Sequence, residues 1–165
     1  MRTLFTAKLL IAGIVVGTLD IAAAMLQFYL KTEKDPFIVL KFIASGVFGS
    51  AAMKSGADMI AWGFLFHYII AMSFTVFFFW LCSRRPALLQ NRLLTGIGYG
   101  VFTWAVMRFV VVPLSATAKQ PSTLSGTFMA ILILVVCVGI PLAYMAAAFR
   151  KQKAYFSNTN MQSGK

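Results

Sequence analysis

Apolar residues fall along this chain in long runs, and the polar residues gather between them. The clearest run is Met59–Cys82, MIAWGFLFHYIIAMSFTVFFFWLC, 24 residues without Asp, Glu, Lys or Arg. At about 1.5 Å per residue it makes roughly 36 Å of helix, enough to cross a hydrocarbon core of about 30 Å with some tilt. Runs at 9–30, 93–114 and 124–149 share its length and character. Each carries a narrow face of small and polar residues. The first has Gly13, Gly17, Asp20 and Ala24, and the second has Gly63, His67, Ala71 and Thr75. The third has Gly96 and Gly100, and the fourth has Gly126, Ala130, Cys137, Pro141, Tyr144 and Ala148. On the second run, Phe64, Phe66, Phe74, Phe77, Phe78 and Phe79 are assigned to the lipid side, with Trp62 and Trp80 near its two ends. Lipid tails are as apolar as Leu, so small residues mark where membrane helices touch. Gly13, Gly17, Gly63, Gly96 and Gly100 are therefore the expected helix-contact positions. The pattern predicts an all-α fold, an antiparallel four-helix transmembrane bundle, with a kink in the fourth helix at Pro141.

Residues 37–53 are apolar but short, interrupted by Lys41 and rich in Ala, Gly and Ser. The segment could span, re-enter or lie at the interface. With four spans, Arg2, Lys8, Arg84, Arg85, Arg92, Arg150, Lys151, Lys153 and Lys165 share one side of the membrane. Lys31, Lys34, Lys41, Lys54 and Lys119 share the other. The richer side faces the cytoplasm by the positive-inside rule, and a fifth span would weaken that bias. The reading is thus four spans, both termini cytoplasmic, and an interfacial or re-entrant helix at about 37–53. The first run is read as a retained helix and not a cleaved signal peptide, because Lys8 comes late, Asp20 interrupts the run and it continues to Leu30. Residues 1–150 form one transmembrane domain. Residues 151–165 form a basic, polar cytoplasmic tail, expected to be disordered.

Composition agrees. Hydrophobic residues make up 60% and charged residues 12%, against about 25% charged in a soluble domain. The net charge of +11 sits at the ends of apolar runs, where it serves anionic lipid headgroups and not nucleic acid. Cys82 and Cys137 have the spacing of neither a disulfide nor a metal site and read as small apolar fillers.

Three polar residues lie at membrane depth. Counted from the ends of their runs, Asp20 is roughly 16 Å, His67 about 18 Å and Arg108 roughly 22 Å from the cytoplasmic edge. A lone charge at mid-bilayer costs about 2.5–3.5 kcal/mol on insertion scales, which gives these groups a motive to meet. Asp20, His67 and Arg108 form a candidate intramembrane polar cluster. Enzyme readings are poorer. Ser45 with His67 is a faint serine–histidine pair, His67 lacks a second haem ligand, and the Gly-rich stretch at 96–100 opens no strand–turn–helix unit. No catalytic residue, metal or cofactor is expected.

The order Gly17-Thr18-Leu19-Asp20, Ile43-Ala44-Ser45-Gly46 with Gly49, Gly63 ahead of His67, Gly96 with Tyr99-Gly100, Val112-Pro113-Leu114-Ser115, and Gly139 with Pro141 resembles a family of small bacterial inner-membrane proteins of no established function. The resemblance covers roughly residues 10–148. It implies a bacterial cytoplasmic membrane protein with few spans and supplies no substrate, cofactor or catalytic residue. The family more often has Gly-Gly at Ser55-Gly56 and a neutral polar residue at Arg108, so an Asp20–Arg108 pair would be particular to this chain. Two function classes remain. One is a non-enzymatic bundle acting as a structural or interaction component, partnered by a second copy or another membrane protein. The other is a small proton-linked transport or permeation component using the polar cluster.

Overall fold

Where the apolar runs were read, the chain forms helix. A computed structural model describes residues 2–117 and 123–150. Its long helices are α1 (Arg2–Thr32), α3 (Asp58–Arg84), α4 (Arg92–Leu114) and α5 (Leu124–Arg150), with a short α2 (Ile38–Phe48) between the first two. No strand occurs among the described residues. Four helices have the length and composition to cross a bilayer, which makes this an all-α, multi-pass membrane protein.

Local chemistry sets the breaks. Pro86 follows an extended Arg85 and opens a 3-10 turn, Pro86–Leu89, that reverses the chain after α3. The Asn91 side chain accepts the Leu94 amide at 3.2 Å and starts α4. Thr123 does the same for α5 through the Gly126 amide, also at 3.2 Å. Side by side the helices run α2, α3, α1, α5, α4. Aromatic side chains close the gap between α3 and α4: Tyr99 stacks 4.6 Å from Phe78 and donates its hydroxyl to the Phe74 carbonyl at 2.6 Å. Ala12, Val16, Phe78, Phe79, Cys82, Tyr99, Leu142 and Ala143 form the core where these four helices meet.

Glycines lie where backbones approach. Gly13 faces the end of Met72, and Gly17 faces the Tyr68 ring and the Ala71 methyl. Gly63 lies directly under the Leu40 carbonyl of α2. The tightest crossing is between α4 and α5. There Gly139 packs onto the Gly96 carbonyl and the Gly100 amide, and Gly96 and Gly100 meet the backbones of Ile140 and Val135. Gly139 was not among the glycines read as contacts.

The extra segment is half a span. The 11 residues of α2 make about 16 Å of helix, against about 30 Å of hydrocarbon. Gly49, at φ +66°, then turns the chain in a conformation that side chains disfavour, and a 3-10 turn follows, Gly49–Met53. The Lys41 ammonium donates to the Ser55 carbonyl at 2.7 Å. The Gly46 carbonyl accepts the Ala116 amide at 2.9 Å, which ties α2 to the end of α4. α2 thus covers the end of the bundle where α1 turns toward α3, one helical turn beyond His67.

Two assignments change. Phe78 and Phe79, read as lipid-facing, are 0% and 6% exposed and belong to the core. The small-residue stripe of the fourth span does not stay on one face. Tyr144 is 50% exposed and Ala148 is exposed, while Gly139, Leu142, Ala143, Ala146 and Ala147 are buried. The cause is a π-helical stretch, Leu134–Gly139. Its wide turn rotates every later residue relative to a constant 3.6-residue count. A second π stretch, Met107–Val111, precedes Pro113 in α4. Each stops two residues before a proline, where the missing donor already loosens the ladder. The expected disordered tail, 151–165, lies outside the described residues, as do Lys119 and Pro121.

An alanine methyl at Gly139 would fall on the Gly96 carbonyl oxygen, whereas Gly98 has nothing within 4 Å of such a methyl. Gly139→Ala should destabilise the detergent-solubilised protein by about 1–3 kcal/mol in thermal unfolding, while Gly98→Ala leaves it unchanged or slightly firmer.

Candidate functional site

Two consecutive residues of α3 grip two consecutive residues of α1, His67 in the interior and Tyr68 toward the outer face. Gly17 has no side chain, so α3 comes close enough for the His67 Nε2 to reach the Gly17 carbonyl at 2.8 Å. A carbonyl only accepts, so Nε2 carries the proton and donates. One residue on, the Thr18 hydroxyl donates to the Ile14 carbonyl at 2.8 Å. Its single proton is then committed, so the Tyr68 hydroxyl must be the donor in the 2.8 Å contact between Tyr68 Oη and Thr18 Oγ1. His67 is 8% exposed, and its ring meets the Tyr68 ring edge-on at 5.6 Å between centroids. His67 and Tyr68 together form a clasp across the α1–α3 crossing.

Asp20 lies one turn along α1 from Gly17, on the same face. His67 on α3 and Cys137 on α5 lie within electrostatic range of it. Cys137 sits within the π stretch of α5. Asp20 is thus placed one turn from the carbonyl that holds His67. Arg108 is on the π stretch of α4, partly buried.

Other hydroxyls are committed locally. Ser45, 2% exposed, donates to the Phe42 carbonyl of its own helix at 2.6 Å. That bond occupies the proton a serine–histidine pair would need His67 to take. Thr75 and Thr103 donate one turn back, to Ala71 and Tyr99, each at 2.9 Å. Among the described residues, no buried side-chain nitrogen or oxygen lacks a hydrogen-bond partner, and no group of three metal-ligating side chains gathers. An apolar groove of about 740 Å³ runs along α3, from Leu65 to Trp80, and Tyr68 forms part of its wall.

Set beside protein-family models, curated proteins and solved structures, the chain matches none of them.

Three members of this site escaped the sequence. Tyr68 and Thr18 were passed over because a Tyr and a Thr in an apolar run carry no signal of their own. Their signal is adjacency, each lying beside a residue already singled out. Cys137 was read as filler. Only the meeting of α1 with α5 puts it within electrostatic range of Asp20.

If the clasp holds α1 to α3, Tyr68→Phe and Thr18→Val should each destabilise the protein, and the double variant should lose less than their sum. The expected coupling is about 0.6 kcal/mol, the size of interhelical hydrogen bonds in membranes, read from a double-mutant cycle of unfolding in detergent.

Proposed function

We propose that this chain is a non-enzymatic helix-bundle component of the bacterial cytoplasmic membrane, working through contact with a second copy or another membrane protein. The observation that carries this reading is that the buried polar side chains are already hydrogen-bonded within the protein, His67 across the α1–α3 crossing and Ser45, Thr75 and Thr103 to their own helices. His67 Nε2 is held by the Gly17 carbonyl at 2.8 Å, and the buried polar atoms of the described residues all have partners. Groups spent in this way are not presented to a substrate. Both termini lie on the cytoplasmic side in this proposal. Lys8, Arg84, Arg85, Arg92 and Arg150 favour that orientation, since they sit at the end of the bundle where α1 begins and α5 finishes. A reporter fused after Lys165 should be active in the cytoplasm, and one inserted at Lys34 should be active on the opposite side.

One observation favours a second reading, a small proton-linked transport or permeation component. Asp20 lies within electrostatic range of His67 and of Cys137 at membrane depth, and ionisable residues there commonly mark proton or ion paths. Asp20→Asn separates the two readings. For a structural bundle, proteoliposomes with a pH gradient show no protein-dependent proton flux, and the substitution alters only the yield of folded protein. Protein-dependent flux that Asp20→Asn abolishes, with folded yield unchanged, contradicts the structural reading.

A further inference from the structure

The chain holds its charge unevenly. Its four acidic residues are Asp20, Glu33, Asp35 and Asp58. Asp20 is inside the bundle, and the other three lie at the α2 end, among Lys31, Lys34, Lys41 and Lys54. The opposite end, where α3 finishes and α4 begins, has no carboxylate side chain among the described residues and carries Arg84, Arg85 and Arg92. The apolar groove of about 740 Å³ on α3 runs through Leu65, Ile69, Ser73 and Val76 and ends at Trp80. At its mouth the Arg84 guanidinium lies over the Trp80 ring, 5.7 Å from the centroid, and Arg85 follows. From Leu65 to Trp80 the groove extends over sixteen residues, a rise of roughly 22 Å at 1.5 Å per residue. That exceeds one leaflet of a core about 30 Å thick.

We propose that this groove is the binding site of an anionic phospholipid, with one acyl chain along α3 and the headgroup phosphate on Arg84 and Arg85. Length and apolar lining suit a chain. The cation at the mouth, poised over a ring at the hydrocarbon boundary, suits a phosphate. The Ser73 hydroxyl donates to the Ile69 carbonyl at 2.8 Å, so the wall offers no polar demand of its own to an acyl chain. The assignment requires only that α3 spans the bilayer, and holds for a structural bundle or a transport component alike.

Quenching of tryptophan fluorescence by brominated lipids tests it, with the full chain reconstituted in mixed bilayers. Brominated phosphatidylglycerol should quench at a lower mole fraction than brominated phosphatidylcholine with the same chains, and Trp80→Phe should remove that preference. Arg84→Gln and Arg85→Gln should each weaken the preference about fivefold, the value of one basic residue near an anionic surface. Arg92→Gln, which removes the same charge at the same end but off the groove, should leave it intact. Equal loss in all three variants means general surface charge and overturns the site. Equal quenching by the two lipids overturns it as well. Loss of the preference in millimolar inorganic phosphate at constant ionic strength would make the ligand a free anion and overturn the lipid assignment. Far-UV circular dichroism confirms that each variant remains helical before quenching is measured.

Discussion

The hydrogen bond from His67 to the Gly17 carbonyl can form only where two helices come close enough for a side chain of one to touch the backbone of the other. Inside hydrocarbon no water stands in for a missing partner, so a polar side chain either finds one in the protein or carries the full cost of being there. Gly17 removes the obstacle, and Tyr68 and Ala71 fill the space a methyl would take. The rest of the bundle obeys the same constraint. Gly63 admits the backbone of α2 one turn beyond His67, and Gly96, Gly100 and Gly139 let α4 and α5 cross at backbone distance. Large side chains cannot produce such crossings, because in lipid they gain nothing by being covered.

The two π stretches follow from the prolines and place polar residues as a consequence. Each wide turn ends two residues before Pro113 or Pro141. One holds Arg108 and the other holds Cys137. A π turn leaves the backbone ladder less regular and re-aims the side chains around it. In α5 this brings Cys137 within electrostatic range of Asp20 and sends Tyr144 outward.

Much of the architecture is legible in the sequence because membrane physics is coarse: a run of about 20 apolar residues needs only length and absence of charge to be read as a crossing. Lys41 and the crowd of small residues set 37–53 apart from the four crossings, but that its α-helix is only 11 residues long is seen in the structure alone. Details that depend on tertiary packing were less visible. Phe78 and Phe79 look like lipid-facing aromatics until α4 and α5 supply Tyr99 and Phe149 to stack on them. The drift of the fourth stripe cannot be found by counting residues, since one π stretch breaks the count. Depth arithmetic brought Asp20 and His67 to the same level. It could not show which way each helix turns its side chains, and so could not show that Tyr68 would meet Thr18 or Cys137 would come within range of Asp20.

Histidine occurs once in this chain, which makes the central contact directly observable. Solid-state ¹⁵N spectra of histidine-labelled protein in lipid bilayers report which ring nitrogen of His67 carries a proton. Labelling the glycine carbonyl carbons adds a distance to Gly17. The account predicts a protonated Nε2 with a short dipolar contact to the Gly17 carbonyl carbon at neutral pH. A bare Nε2 with the proton on Nδ1 alone, or a ring with no contact to that carbonyl, would contradict it.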